Sequence, residues 1–231
     1  MTVTLITGAN KGIGYEAARR LVDAGHTVYL GARDPDAGSP AAERLGAAFV
    51  RLDVTDDGSV GAAVARIGAD HGHLDVLVNN AGIAGGGIPA GDVTADALRR
   101  VYETNVFGPV RVIHAALPLL LGSESPRIVN VASGLGSLGI VTDPHRWESG
   151  YPTFAYGSSK TALVALTVHY AKAFPQMRIN AVDPGYTATD LNGHRGTQTL
   201  TEGTDAIVAY ATIGPDGPTG GFFDRHGVVP W

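Results

Sequence analysis

The chain has 231 residues, enough for one domain or a compact pair, and 44% of them are hydrophobic, enough for a sizeable core. Its formal net charge of −5, from 17 Lys+Arg against 22 Asp+Glu, gives no electrostatic case for nucleic acid or an anionic membrane. No cysteine is present, so there is neither a disulfide nor thiolate chemistry, and the 32 glycines point to many tight turns.

In chain order, MTVTLITGANKG lacks the basic start, apolar stretch and cleavage site of a secretory signal. Short β-branched runs then follow at 3–7 (VTLIT), 27–31 (TVYLG), 48–52 (AFVRL), 75–79 (DVLVN) and 127–131 (RIVNV). They do not alternate, as expected of strands buried on both faces of a parallel sheet. Between them lie stretches of helical composition at 13–24, 41–46, 57–70 and 95–121. The apolar run AALPLLL at 115–121 is far too short to cross a bilayer. A long Ala-rich helix is predicted from about 153 to 174, and a sixth strand near 178–182 (RINAV). The tail is rich in Gly and Pro and carries no predicted element. Strand, helix, strand at this rhythm predicts right-handed βαβ units in one doubly wound α/β domain, a Rossmann fold spanning 1–231. The expected setting is cytoplasmic, with no membrane and no nucleic-acid partner.

Two short stretches point to chemistry. TGANKGIG at 7–14 follows the first predicted strand and opens the first helix. Gly8, Gly12 and Gly14 stand where a diphosphate-binding turn needs tightness, backbone approach and close helix packing, and the helix N-terminus offers free amides. A plain Gly-rich turn is the bland alternative. YGSSK at 156–160 puts Tyr156 and Lys160 four residues apart, on one face of the long helix. An ammonium fixed near a phenol lowers the phenol's pKa, which serves proton transfer; simple packing of Tyr156 is the alternative.

Taken with LDV at 52–54, NNAG at 79–82, Asn105 in TNVFG, Ser133 in VNVAS and DPGYTAT at 183–189, these stretches make the sequence resemble the short-chain dehydrogenase/reductase family, in its carbonyl-reductase-like branch. The resemblance implies a catalytic set of Asn105, Ser133, Tyr156 and Lys160. Tyr156 is the implied proton donor, and Ser133 the implied partner of the carbonyl oxygen, unless it is a strand-end cap, with Ser137 as its rival. Lys160 is implied to hold the cofactor ribose, and Asn105 a water chain, unless it merely kinks or caps its helix.

Implied cofactor contacts are Gly8, Asn10, Lys11, Gly12, Ile13 and Gly14 of the turn, Asp53 and Val54 at the adenine, Asn80, Ala81 and Gly82 at its ribose, and Tyr156 and Lys160. Pro184, Gly185, Thr187 and Thr189 are implied at the nicotinamide, while Asn79 is expected to brace the sheet. Asp53 has a second reading, as an acid at the start of the 57–70 helix. Ala32 takes the place of the acid that marks NAD, and Arg33 follows it, so the cofactor reads as NADPH/NADP rather than NAD, with Lys11 reaching the same phosphate. The competing reading uses Asp34 or Asp36 as a ribose acid; a third leaves Arg33 solvated.

The resemblance therefore implies an NADPH-dependent reductase of small-molecule ketones, aldehydes or keto esters. The alternatives are an NAD-dependent alcohol dehydrogenase and a catalytically silent NADP-sensing protein. Ser133 and Tyr156 stand 23 positions apart, longer than the family's usual separation. The extra residues bring Trp147, Tyr151 and, from the later motif, Tyr186 into the expected substrate pocket. Residues 190–203 are expected to form a short mobile substrate lid. No metal is assigned, and a homo-oligomer and a monomer both stay open.

Overall fold

A computed structural model describes residues 1–231 as eight strands in one sheet with helices on both faces. In chain order these are β1 (Val3–Thr7), α1 (Gly12–Asp23), β2 (Thr27–Ala32), α2 (Pro35–Leu45), β3 (Ala48–Arg51), α3 (Asp57–His71), β4 (Val76–Asn79), α4 (Ala95–Tyr102), α5 (Gly108–Leu121), β5 (Arg127–Val131), α6 (Leu138–Val141), α7 (Phe154–Ala173), β6 (Arg178–Val182), α8 (Leu200–Gly203), α9 (Asp205–Ala211), β7 (Phe222–Asp224) and β8 (Gly227–Val228). The sheet order is β3-β2-β1-β4-β5-β6-β7-β8, parallel throughout except for the β7–β8 pair. The order reverses between β1 and β4, which opens the crevice where such sheets bind ligands.

Burial explains the strand pattern. Every residue of β1 and β4 is buried. One face packs Val60, Ile67, Ile113 and Leu120 of α3 and α5 against Leu5, Leu77 and Ile128. The other packs Leu21, Ala41 and Ile207 of α1, α2 and α9 against Ile6, Val78 and Val129. Between β4, β5 and α7 runs a polar brace: Asn79 Nδ2 donates to Asn130 Oδ1 at 2.9 Å, and Asn130 Nδ2 to Thr167 Oγ1 at 2.9 Å. Asn79 thus has the bracing role the sequence suggests.

The six predicted strands are present within a residue or so of their expected ends. Four differences stand out. Helix α2 begins at Pro35, ahead of the expected 41, because Asp34 caps it by accepting from the Asp36 amide at 2.9 Å and Pro35 fits its first position. The predicted 95–121 helix is two helices joined by a wide π turn at Glu103–Phe107. The run Ala95–Leu121 is long and apolar enough to cross a membrane by length and composition, but its Val112, Ile113, Ala116 and Leu120 are packed into the domain core. Within and after the expected lid, α8 and α9 form, α8 starting at a reciprocal cap between Thr199 and Glu202. Finally, the tail adds β7 and β8 to the sheet.

Candidate active site

The glycine-rich turn is shaped by close approaches. Gly8 and Gly12 have φ of +64° and +58°, values that favour glycine. A Cβ on Gly14 would lie 2.6 Å from the Gly8 carbonyl oxygen and 2.9 Å from Ala9 Cα, so α1 packs against β1 only because that residue has no side chain. Asn80 fixes the turn from the next strand, donating through Nδ2 to the Thr7 and Gly8 carbonyls at 2.9 and 3.0 Å. Its side chain is thereby committed to shaping the turn. The first turn of α1 has neither a side-chain cap nor an acidic residue, leaving free amides and the positive dipole end, as a diphosphate requires. The donor set fits a dinucleotide.

Around the adenosine end, Arg33 is exposed and forms no ion pair, whereas Asp34 is used as the α2 cap. Asp53 is not a helix cap: Asp56 caps α3, accepting from the Ser59 amide at 2.6 Å. Asp53 Oδ1 accepts from the Thr55 amide and hydroxyl at 2.9 and 2.7 Å. Burial works against its charge, but these donors, with Arg33 and Arg51 nearby, hold its carboxyl below the ordinary value. Lys11 is engaged away from Arg33, its Nζ 2.6 Å from Asp190 Oδ2.

Across the sheet's carboxyl edge, the four expected catalytic residues converge. Tyr156 and Lys160 share one face of α7, with Lys160 Nζ 5.6 Å from the Tyr156 ring centroid. Ser133 follows β5; its Oγ accepts from the Leu135 amide at 3.3 Å, capping the turn after the strand, and its hydroxyl favours the lower pKa of the Tyr156 phenol. Asn105 lies in the π turn. It accepts from the Ile83 amide at 2.9 Å and donates to the Ile83 carbonyl and Ser159 Oγ, both at 3.0 Å. These bonds hold the helix break in place, which is the kink reading of Asn105, and they occupy its side chain. Lys160 and Asn105 still meet across Gly82: a Cβ there would be 3.4 Å from Asn105 Oδ1 and 3.6 Å from Lys160 Nζ. Ser137, the rival serine, caps α6 and donates to the Pro230 carbonyl, and is buried away from the site.

The charges are perturbed by burial. The sequence leads one to expect a lowered phenol pKa. In the structure burial pushes Tyr156 up to about 12, Ser133 works in the opposite direction, and Asp183 adds to the rise. The Lys160 ammonium itself donates to the Val131 carbonyl, at 2.7 Å. Burial pulls Lys160 itself down to about 8, against the charge of Asp183. Asp183 was not singled out in the sequence, although it stands inside the DPGYTAT motif.

The turn expected at the nicotinamide follows β6. Gly185 has φ +69°. The Thr187 amide donates to the Gly185 carbonyl at 2.9 Å, and the Thr187 carbonyl accepts from Asn192 Nδ2 at 2.8 Å, so both backbone groups expected at the carboxamide already have partners. Thr189 reaches back over the cofactor turn, its Cγ2 3.8 Å from where a Gly12 Cβ would be. Trp147, Tyr151 and Tyr186 come together: Trp147 is edge-on to Tyr151 at 5.8 Å and tilted against Tyr186 at 5.2 Å. The 190–203 segment is tied down by Asp190 to Lys11 and His194, by a Thr187–Gln198 bridge, and by Arg225 to Glu202.

Comparison with known proteins gives the family and the fold. A sequence model of the short chain dehydrogenase family matches residues 2–199. The (+)-neomenthol dehydrogenase of Capsicum annuum is 33% identical, over 97% of this chain and 96% of that protein. That alignment runs over 301 positions, so the relative has segments this chain lacks. Salutaridine reductase from Papaver somniferum superposes with a TM-score of 0.84 at 30% identity, covering 96% of this chain and 99% of that one. The NADPH-bound carbonyl reductase from chicken fatty liver superposes with a TM-score of 0.87 at 28% identity, covering 100% of each.

Proposed function

The chain belongs to the short chain dehydrogenase family and is an oxidoreductase, and from that premise we propose that it reduces ketones, aldehydes or keto esters with NADPH, Tyr156 giving the proton. The observation that carries this reading is the convergence of Ser133, Tyr156 and Lys160 at the end of β5, on the same carboxyl edge of the sheet as the open amides of α1. When bound, the reduced nicotinamide supplies the hydride.

The chain's own groups do the rest. Ser133 hydrogen-bonds the substrate oxygen and steadies the negative charge that grows there. Tyr156, raised by burial, stays protonated at neutral pH and delivers its proton to that oxygen. The Lys160 ammonium stabilises the phenolate left behind and holds the ribose. Pro184, Gly185, Thr187 and Thr189 orient the ring, and Asn105 keeps the α4–α5 break that leaves room beside Lys160. Arg33, exposed and unpaired, is the group available for a 2′-phosphate, with Ala32 in place of an acid. The carbonyl reductase of similar fold binds NADPH, which supports the same choice here. Trp147, Tyr151 and Tyr186 form an aromatic wall for the substrate.

The test is a panel of ketones, aldehydes and keto esters followed by loss of NADPH or NADH absorbance. Turnover with NADPH favoured over NADH is expected. A preference for NADH, or oxidation of alcohols alone, replaces this reading with an NAD-dependent alcohol dehydrogenase.

A further inference from the structure

Lys160 is only 4% exposed. Its ammonium has one hydrogen-bond partner, a neutral carbonyl, and no carboxylate within ion-pair distance. A buried cation without a counter-charge is costly and tends to lose its proton.

Asp183 stands one residue beyond the end of β6 and belongs to no ion pair. Its Oδ1 accepts from the Gly185 amide at 2.9 Å. In the sheet Val182 pairs with Val131, whose carbonyl holds Lys160, so Asp183 and Lys160 reach the same strand end from β6 and α7. Between them lies the short turn Gly134–Gly136 that follows Ser133. A Cβ on Gly136 would be 2.7 Å from Lys160 Cβ, and a Cβ on Gly134 would be 2.9 Å from Asp183 Oδ2. The two glycines let Lys160 and Asp183 both pack closely against the turn that follows Ser133.

We propose that Asp183 is the counter-charge of Lys160, a positioning residue that keeps the lysine an ammonium across the Ser133 turn. The inference rests on the reading of Lys160 as the cation beside the proton donor. The other charged or titratable groups facing the pair are Tyr156 on α7, Asp224 on β7, and Arg146 and Glu148 in the segment before α7. Glu148 lies across Gly134 from Asp183, 3.6 Å from the same imagined Cβ, and its charge is taken by Arg146 at 3.0 Å. Burial raises the Asp183 carboxyl, the Gly185 and Gly134 amides lower it, and Asp224 and Glu148 raise it again. The segment before α7 therefore bears on Lys160 through Asp183.

The chain has only Lys11, Lys160 and Lys172, so the side-chain carbon resonances of labelled lysine report Lys160 individually, without substrate or turnover. Asp183→Asn and Asp183→Ser both keep an oxygen for the Gly185 amide. Each is expected to lower the Lys160 midpoint by roughly one pH unit from its position near 8. A folded variant in which Lys160 titrates as in the unmodified protein overturns the proposal, because a purely structural role changes the melting temperature and not this midpoint. If neither variant folds, Lys160→Met decides. The labelled Asp183 carboxyl is then expected to take up its proton at higher pH, and an unmoved midpoint overturns the proposal. Failure of the carbonyl panel alone would remove the proposed reaction and leave this titration standing.

Discussion

Lys11, in the glycine-rich turn after β1, and Asp190, just after the DPGYTAT turn that follows β6, meet across the mouth of the cleft with Nζ 2.6 Å from Oδ2. The pair joins two segments 179 residues apart. Both side chains are exposed, so solvent screens the contact and it adds little stability. For the proposed NADPH reading the consequence is competition, because a carboxylate holds the lysine that the phosphate would need. Asp190→Ala is therefore expected to tighten NADPH binding about two- to fivefold, within what such a pair is worth, and to leave NADH nearly unchanged. Lys11→Ala is expected to weaken NADPH binding. Fluorescence titration with both cofactors checks this; equal changes for the two would place Lys11 at the shared diphosphate.

The Arg33 side chain makes no salt bridge or hydrogen bond, and its charge meets only that of Asp53 nearby. A charged hydrogen bond to a phosphate is worth about 1.5–3 kcal/mol. Arg33→Ala should then lower kcat/KM with NADPH by roughly ten- to a hundredfold and leave the NADH value within about twofold. Steady-state kinetics with each cofactor gives the comparison, and a matching loss with NADH would take Arg33 away from the 2′-phosphate.

Tyr156→Phe removes one hydroxyl and little packing. The expected result is NADPH binding within a few-fold of normal and turnover reduced by roughly a hundred- to ten-thousandfold, the usual worth of a general acid. Binding is read by fluorescence and turnover by NADPH absorbance on the same preparation. Near-normal turnover would mean that another group supplies the proton.

The sequence revealed what depends on chain order and local spacing. Strands β1 and β4 are short, mostly apolar runs without alternation because both faces of the sheet bury them, and the Tyr156–Lys160 interval is a helical repeat. What escaped depends on contacts between distant residues. The break at Glu103–Phe107 is fixed by Asn105 bonding the Ile83 backbone, 22 positions away. Strands β7 and β8 have three and two residues, too short to show a period, and gain their place by pairing with β6 and each other. Asp183 becomes visible only when β5 and β6 lie side by side. The α8 start, by contrast, did carry a signal: Thr199 and Glu202 have the spacing of a reciprocal cap.

Lys160 also links function to stability. Burial lowers it from 10.5 to about 8 in the folded chain, so between those values the unfolded chain binds more protons than the folded one. Stability from this group therefore rises with pH through that window: the burial penalty is complete below about 8 and gone above about 10.5. The whole shift corresponds to ~3 kcal/mol. Lys160→Met removes the charge and leaves the Val131 carbonyl without its donor, a cost that does not change with pH. The difference in unfolding free energy between the native chain and Lys160→Met should thus move in favour of the native chain as pH rises from 7 to 10. Tyr156, raised rather than lowered, begins to act in the opposite direction only above about 10. Urea unfolding at several pH values measures the difference, and a gap constant across the range would mean that Lys160 is an ordinary, fully protonated lysine in the folded protein.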